Sequence, residues 1–237
     1  MQPTDQLPPS QQDTAPFGHN EGTTREWLAR RFLSLPPAHR RTPEEETAFR
    51  SALRLYWEIE THSVIRTAGL RRPLRYGNLG AAMTTLLEAC RTEAQQQGFS
   101  LSVSLAPASL YAFYEPRLAQ LAAVGLLRSA CAASPDGEAA AALSVGGQRL
   151  SLTVTGQSRF WDADALRVAK EAARLHRGSL AVSENTAAFS MSARTGAGLT
   201  GAGIAQTPTV SDYRTGVLSL VKAGFQSLES PSLPLLN

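Results

Sequence analysis

The chain has 237 residues, of which 43% are hydrophobic, and a formal net charge of +3 from 23 basic and 20 acidic side chains. That composition can bury a core, and its dispersed arginines and lysines argue against a phosphate-tracking nucleic-acid surface. Cys90 and Cys131 lack CxxC spacing, no apolar run reaches membrane-spanning length, and the first residues lack the basic start and apolar centre of a signal peptide. A disulfide framework, a zinc site and a membrane partner are therefore not expected, and a cytoplasmic location is.

Residues 1–22, rich in Pro, Gln, Thr and Gly, predict a flexible leader. A short helix over TREWLARRFLSL places Trp27, Leu28, Phe32 and Leu35 on one side and stops at Pro36-Pro37. Thr42-Pro43-Glu44-Glu45 combines an N-cap, a first-turn proline and a capping-box glutamate. It opens a helix running to about Leu70, with Phe49, Ala52, Leu53, Tyr56 and Val64 near one stripe. Leu55, Trp57 and Ile59 lie beside that stripe and give the helix more apolar surface than one neighbour needs, which predicts a homodimer.

Asn78 caps a helix from Leu79 to Gln97 that Gly98 ends. Phe99 to Leu105 alternates apolar and polar residues and predicts a strand with one wet face. Pro116 starts a helix, PRLAQLAAVGLLRSACAA, that is apolar nearly all round and so is expected to be buried. Strands at residues 140–145 and 150–154 are joined through Gly146-Gly147. Asp162 and Asp164 favour the start of a helix that ends in LRVAKEAARLHRGSL, where Arg174, His176 and Arg177 are expected to act as cations near its last carbonyls. Gly178 is expected to turn left-handed, and Leu180, Val182, Phe189 and Met191 mark two further half-buried strands.

The run from Gly196 to Gly201 satisfies G-x-G-x-x-G, yet IAQTPTVSD follows it with no helix start, so a linker is expected in place of a dinucleotide site. In the tail after Pro208, VLSLVKAGF fits an edge strand or a short helix equally. The chain thus divides into a leader at 1–22, a helical segment at 23–72, an α/β domain at 73–194 and a linker with tail at 195–237. From Leu79 the order helix, strand, helix, strand, strand, helix, strand, strand predicts an α/β two-layer sandwich with a mixed sheet under three helices.

That order, with LAQLAAVGLLRSACAASPDG and AKEAARLHRGSLAV, resembles the ATP-binding domain of sensor histidine kinases and the wider GHKL, HSP90-like ATPase family. The helices from Thr24 to Leu70 resemble a dimerisation and histidine-phosphotransfer hairpin. The resemblance implies an N-box asparagine that holds Mg²⁺ beside the phosphates, and in this chain that position is Ser129, whose hydroxyl is a poor substitute at a hard cation. It also implies an Asp-x-Gly-x-Gly loop, replaced here by TVTGQSRFWD, so that Gly156 and Gln157 occupy degenerate nucleotide positions. Only SRFWDAD stands where a glycine-rich lid is implied. Loss of ATP and Mg²⁺, and hence no cofactor, is expected.

His62 is the phosphoacceptor candidate, because HSVIRTAGL echoes the kinase H-box and lies off the apolar stripe. His39, in AHRRTP, reads as loop, and His176 has no assignable nucleophile or carboxylate partner. The reading that results is a degenerate histidine-kinase-like protein that acts by contact in two-component-type signalling, with a response regulator or an intact kinase as partner. One alternative is a phosphotransferase that relays phosphoryl groups through His62 without binding ATP. Another is an active ATP-dependent sensor kinase.

Overall fold

Leu150, Leu152 and Val154 point every second side chain of one strand to the same side, and all three are fully buried, so the sheet around them has one dry face. The structure is a computed structural model, and it describes residues 41–106, 109–134, 138–157, 161–192 and 210–228, with side chains in the last segment from Val217 onward. The expected leader, the helix over residues 24–35, His39 and the glycine run at 196–201 lie outside the described residues.

The elements are α1 (Pro43–Arg66), β1 (Arg75–Asn78), α2 (Leu79–Gln96), β2 (Ser100–Leu105), β3 (Tyr111–Tyr114), α3 (Pro116–Ala132), β4 (Glu138–Gly146), β5 (Arg149–Thr155), α4 (Ala163–Leu175), β6 (Leu180–Val182), β7 (Thr186–Ser192) and α5 (Val210–Gln226). The main sheet has the order β2-β4-β5-β7-β6, with β2 and β4 parallel and the other pairs antiparallel. Its register aligns Leu105, Leu143, Leu152, Phe189 and Leu180 in one cross-strand row. Burying each side chain of this kind contributes about 1.5 to 3 kcal/mol, so such rows hold the helical layer to the sheet. The mixed sheet under helices α2, α3 and α4 is the two-layer α/β arrangement expected from the sequence.

A third layer, formed by α1 and α5, covers those helices. Helix α1 packs on α3, α4 and α5, and α5 packs on α1, α2 and α3. The tail over VLSLVKAGF is therefore helical. Trp57, one of the three residues read as surplus for a dimer, is 5% exposed, while Leu55 and Ile59 are half-buried, so part of that surface is used within the chain. A buried ion pair ties the layers: Arg117 at the start of α3 donates to Glu60 at 2.9 Å and to the Tyr56 hydroxyl at 2.6 Å.

Local chemistry explains most element ends. Thr42 and Glu45 form the reciprocal capping box, Asn78 caps α2 at Ala81, and Gly147 makes the β4–β5 turn with φ +59. Helix α1 ends at Arg66, short of the expected Leu70, because Gly69 turns at φ +84. Strands β1 and β3, which pair as a separate antiparallel ribbon, have four residues each and too few alternations to be seen in the sequence.

Two expectations at the end of α4 are corrected. The left-handed residue is Arg177, at φ 50, and Gly178 is required for a different reason: a Cβ there would stand 1.8 Å from the carbonyl oxygen of Ser190 in β7. His176 is not an exposed cation but is 1% exposed. Its Nε2 accepts from the backbone N–H of Glu115 at 2.9 Å, so Nδ1 carries the proton and donates to the Ala172 carbonyl at 2.7 Å. The neutral ring joins the end of α4 to the start of α3.

Beyond α1, the connecting residues are fastened to α4. Glu171 accepts from the Gly69 N–H at 2.9 Å and from Arg174 through two bonds of 2.8 Å. The Arg174 hydrogen bonds, aided by that N–H, hold the Glu171 carboxyl below its usual range. A lowered carboxylate stabilises the fold above the ordinary glutamate value near pH ~4.3 and loses that contribution as pH falls through the lower folded value. Glu171→Gln should therefore lower the unfolding free energy by about 1 kcal/mol near neutral pH. Urea titrations of the two proteins should converge as the pH falls below that range.

Candidate functional site

Helix α3 supplies one wall of the site. Its residues from Leu118 to Leu127 are all buried, and an interior glycine, Gly125, lies where α4 crosses. A Cβ on Gly125 would meet Ala165 of α4 at 3.2 Å and Trp57 of α1 at 3.7 Å. Glycine inside a helix costs about 0.5 to 1 kcal/mol relative to alanine, so its presence in AVGLL marks a close approach. The same holds at Gly224 in α5, where a Cβ would lie 2.6 Å from Val124.

Ser129, the expected N-box position, is 3% exposed, and its hydroxyl accepts from the Asp162 backbone N–H at 2.7 Å. Asp162 in turn caps α4, accepting from Asp164 and Ala165 at 2.8 and 3.1 Å. Gly156 donates to the Asn185 carbonyl at 2.9 Å, and its α-carbon faces Ala130 so closely that a Cβ would stand 3.2 Å from the Ala130 backbone. Gln157 donates from its backbone N–H to the Ser134 hydroxyl at 3.0 Å, and Ser134 is fully buried. The three positions implied for the nucleotide thus lie together, where the end of α3, the segment after β5 and the start of α4 are stitched by short hydrogen bonds.

Arg128 closes the remaining side. Its guanidinium donates to the Gly224 carbonyl at 2.9 Å and to Asp162 at 3.2 Å, and it lies 5.6 Å over the Trp57 ring. Burial works against its charge and lowers its pKa, while Asp162 opposes that shift. Sequence reasoning missed Arg128, Ser134 and Gly224, since each acts through a partner distant in the chain; the interior glycine at 125 was the available signal.

His62 does not join this cluster's interior. It sits on α1 with its side chain 59% exposed, as its position off the stripe predicts, and its Nε2 is 3.6 Å from Asp164 in the first turn of α4. Both cysteines are buried, and burial pushes the Cys131 thiol up to about 12 and the Cys90 thiol further, which leaves neither as a thiolate nucleophile. Among the described residues there is no group of three His, Cys, Asp or Glu side chains suited to a metal, and no helix long and apolar enough to cross a membrane. A shallow concavity of about 250 Å³ lies elsewhere, on the sheet between Ser102, Ser104, Ala140, Ala142, Thr153 and Thr155, and carries no charged lining.

No family model matches the chain, and no curated protein matches its sequence. Solved structures similar to it are histidine kinases. The Acinetobacter baumannii histidine kinase AdeS is 13% identical, with 73% of this chain and 97% of that one covered and a TM-score of 0.49. A histidine kinase from Burkholderia phymatum STM815 is 15% identical over 74% and 97% of the two chains, with a TM-score of 0.44. The histidine kinase domain of the E. coli osmosensor EnvZ is 13% identical over 54% and 93%, with a TM-score of 0.40.

If Ser129 serves as a strut, Ser129→Ala should leave the Asp162 N–H without its acceptor. The expected loss is about 1 to 2 kcal/mol of stability in urea denaturation, with the far-UV spectrum unchanged.

Proposed function

We propose that this protein is a degenerate histidine-kinase-like protein that works by contact in two-component-type signalling, without turning over ATP. The observation that carries the reading is the 2.7 Å hydrogen bond from the Asp162 N–H to Ser129. At the position where the resemblance implies a magnesium-binding asparagine, this chain has a short hydroxyl that accepts from the cap residue of a helix. Two neighbouring contacts support the same reading: the approach of Gly156 to Ala130, and the bond from Gln157 to Ser134. Together they hold the segment after β5 against the end of α3, next to the Ser129 position. The partner we infer is a response regulator or an intact kinase, and self-association through the Leu55 and Ile59 side of α1 belongs to the same proposal.

A second reading is favoured by the geometry at His62. Its exposed ring has Nε2 3.6 Å from the Asp164 carboxylate, and an exposed imidazole beside an acid can offer a ring nitrogen for attack. In a relay, that nitrogen would form an N–P bond while the acyl phosphate P–O bond of a phosphorylated aspartate breaks, and the carboxylate would leave.

Calorimetry with Mg²⁺ and ATP at millimolar concentration should show no saturable heat and no rise in melting temperature; binding with a micromolar Kd would sink the contact reading in favour of an active kinase. Incubation with a phosphorylated response regulator should leave the chain unlabelled. Label that appears in the intact protein and vanishes in His62→Ala would instead establish the relay.

A further inference from the structure

Where α1 packs on α4, the two oxygens of one carboxylate face two different cation-forming groups. Asp164 lies in the first turn of α4, where the helix dipole favours its ionised form. Its Oδ1 accepts from the Arg167 guanidinium at 3.4 Å, and its Oδ2 stands 3.6 Å from Nε2 of His62 on α1. Glu58, four residues before His62, is engaged by Arg54 at 3.2 Å. The acid paired with the ring therefore comes from α4 and not from the ring's own helix.

An ionised carboxylate only accepts, and a neutral imidazole has one protonated nitrogen and one nitrogen with a lone pair. At 3.6 Å the contact is electrostatic and longer than a hydrogen bond, yet its sign is fixed. A proton on Nε2 is attracted to Oδ2, whereas a lone pair there is repelled by it. The two tautomers of His62 are thereby made unequal: Nε2 carries the hydrogen and Nδ1, which has no hydrogen-bond partner among the described residues, keeps the lone pair. The same carboxylate disfavours a phosphoryl group on Nε2, because the negative oxygens of that group would stand against Asp164.

We propose that Nδ1 of His62 is the nitrogen that accepts a phosphoryl group at this site, and that Asp164 is the residue that positions it. The inference deepens the second reading above and rests on it for the natural donor; the choice of nitrogen rests on the geometry of His62, Asp164 and Arg167. In the transfer, the Nδ1 lone pair forms the N–P bond while the donor's bond to phosphorus breaks and its electron pair leaves with the donor. The Nε2 hydrogen stays on the ring, so the positive charge that develops on the imidazolium lies opposite Asp164. Attack by Nε2 would first require that hydrogen to move to Nδ1, away from its partner.

The probe is phosphoramidate, a small phosphoryl donor that needs no partner protein: its P–N bond breaks and ammonia leaves as the histidine N–P bond forms. Long-range ¹H–¹⁵N NMR of the full chain reads the His62 tautomer before the reaction and the phosphorylated nitrogen after it. The hydrogen should be on Nε2 and the phosphoryl group on Nδ1, in excess over a peptide of residues 58–66, which carries the same histidine without α4. Asp164→Ala should lower the ratio of Nδ1 to Nε2 product about two- to fivefold, the range an exposed ion pair supplies, and Asp164→Glu should restore most of it. Circular dichroism checks that both variants fold. A phosphoryl group mainly on Nε2 of the intact chain, a ratio unchanged in folded Asp164→Ala, or a His62 that stays unmodified while the peptide reacts would each overturn the proposal. A phosphorylated response regulator separates the two readings. No label from the regulator, with Nδ1 still modified by phosphoramidate, ends the relay and leaves the nitrogen assigned; label from the regulator on Nε2 keeps the relay and ends this inference.

Discussion

A helix with no wet side has to be covered from every direction, and α3 is such a helix, with its residues from Leu118 to Leu127 all buried. The sheet covers it through β4 and β5, α4 and α2 flank it, and α1 and α5 close its outer side. Where neighbours come closest, side chains are absent: Gly125 admits Ala165, and Gly224 admits Val124. Polar groups on α3 and just past its end receive the covering elements: Ser129 meets Asp162, Ser134 meets Gln157, and Arg128 meets both Gly224 and Asp162. Close packing of this kind transmits the position of one element to the next.

The same constraint shapes the site. A nucleotide pocket requires a cavity between a helix end and the loop opposite it, with polar groups aimed inward. Here the hydroxyls of Ser129 and Ser134, at and just past the end of α3, each accept from a backbone N–H of the opposing segment. The short serine side chain at position 129 suits the distance to the backbone N–H of the α4 cap residue. Among the described residues, Arg128 is a cation at this seam, and it pairs with Asp162 at 3.2 Å.

Much of the architecture was legible in the sequence because it is written in local chemistry. The capping box at Thr42, the cap at Asn78, Pro116 at the start of α3 and the glycine pair at 146 and 147 each act within a few residues of themselves. The alternation in β2, β4, β5 and β7 is likewise local. Features that depend on distant partners were not legible. Strands β1 and β3 are too short to show a period, and α5 has no cap signal that decides helix over strand. The neutral state of His176 depends on the N–H of Glu115, 61 positions away. Gly178 was identified as necessary but for conformational freedom, when the cause is a strand that passes too near for any side chain. Around Ser129, Gly156 and Gln157, the sequence did not show the distant partners to which they are hydrogen-bonded.

Helix α5 is the last helix described, yet Leu220, Val221 and Phe225 are almost wholly buried against helices that come much earlier in the chain. During synthesis the sheet, α1 and α3 emerge from the ribosome before α5, so the part of α3 that α5 covers faces water for as long as translation of the intervening stretch takes. Vectorial folding can build the strands and caps as they appear, but the hydrophobic core closes only on release of residues near 226. For this chain, the order of translation and the order of structural completion are separate, and the interval between them is when its apolar helix is open to association with other nascent chains.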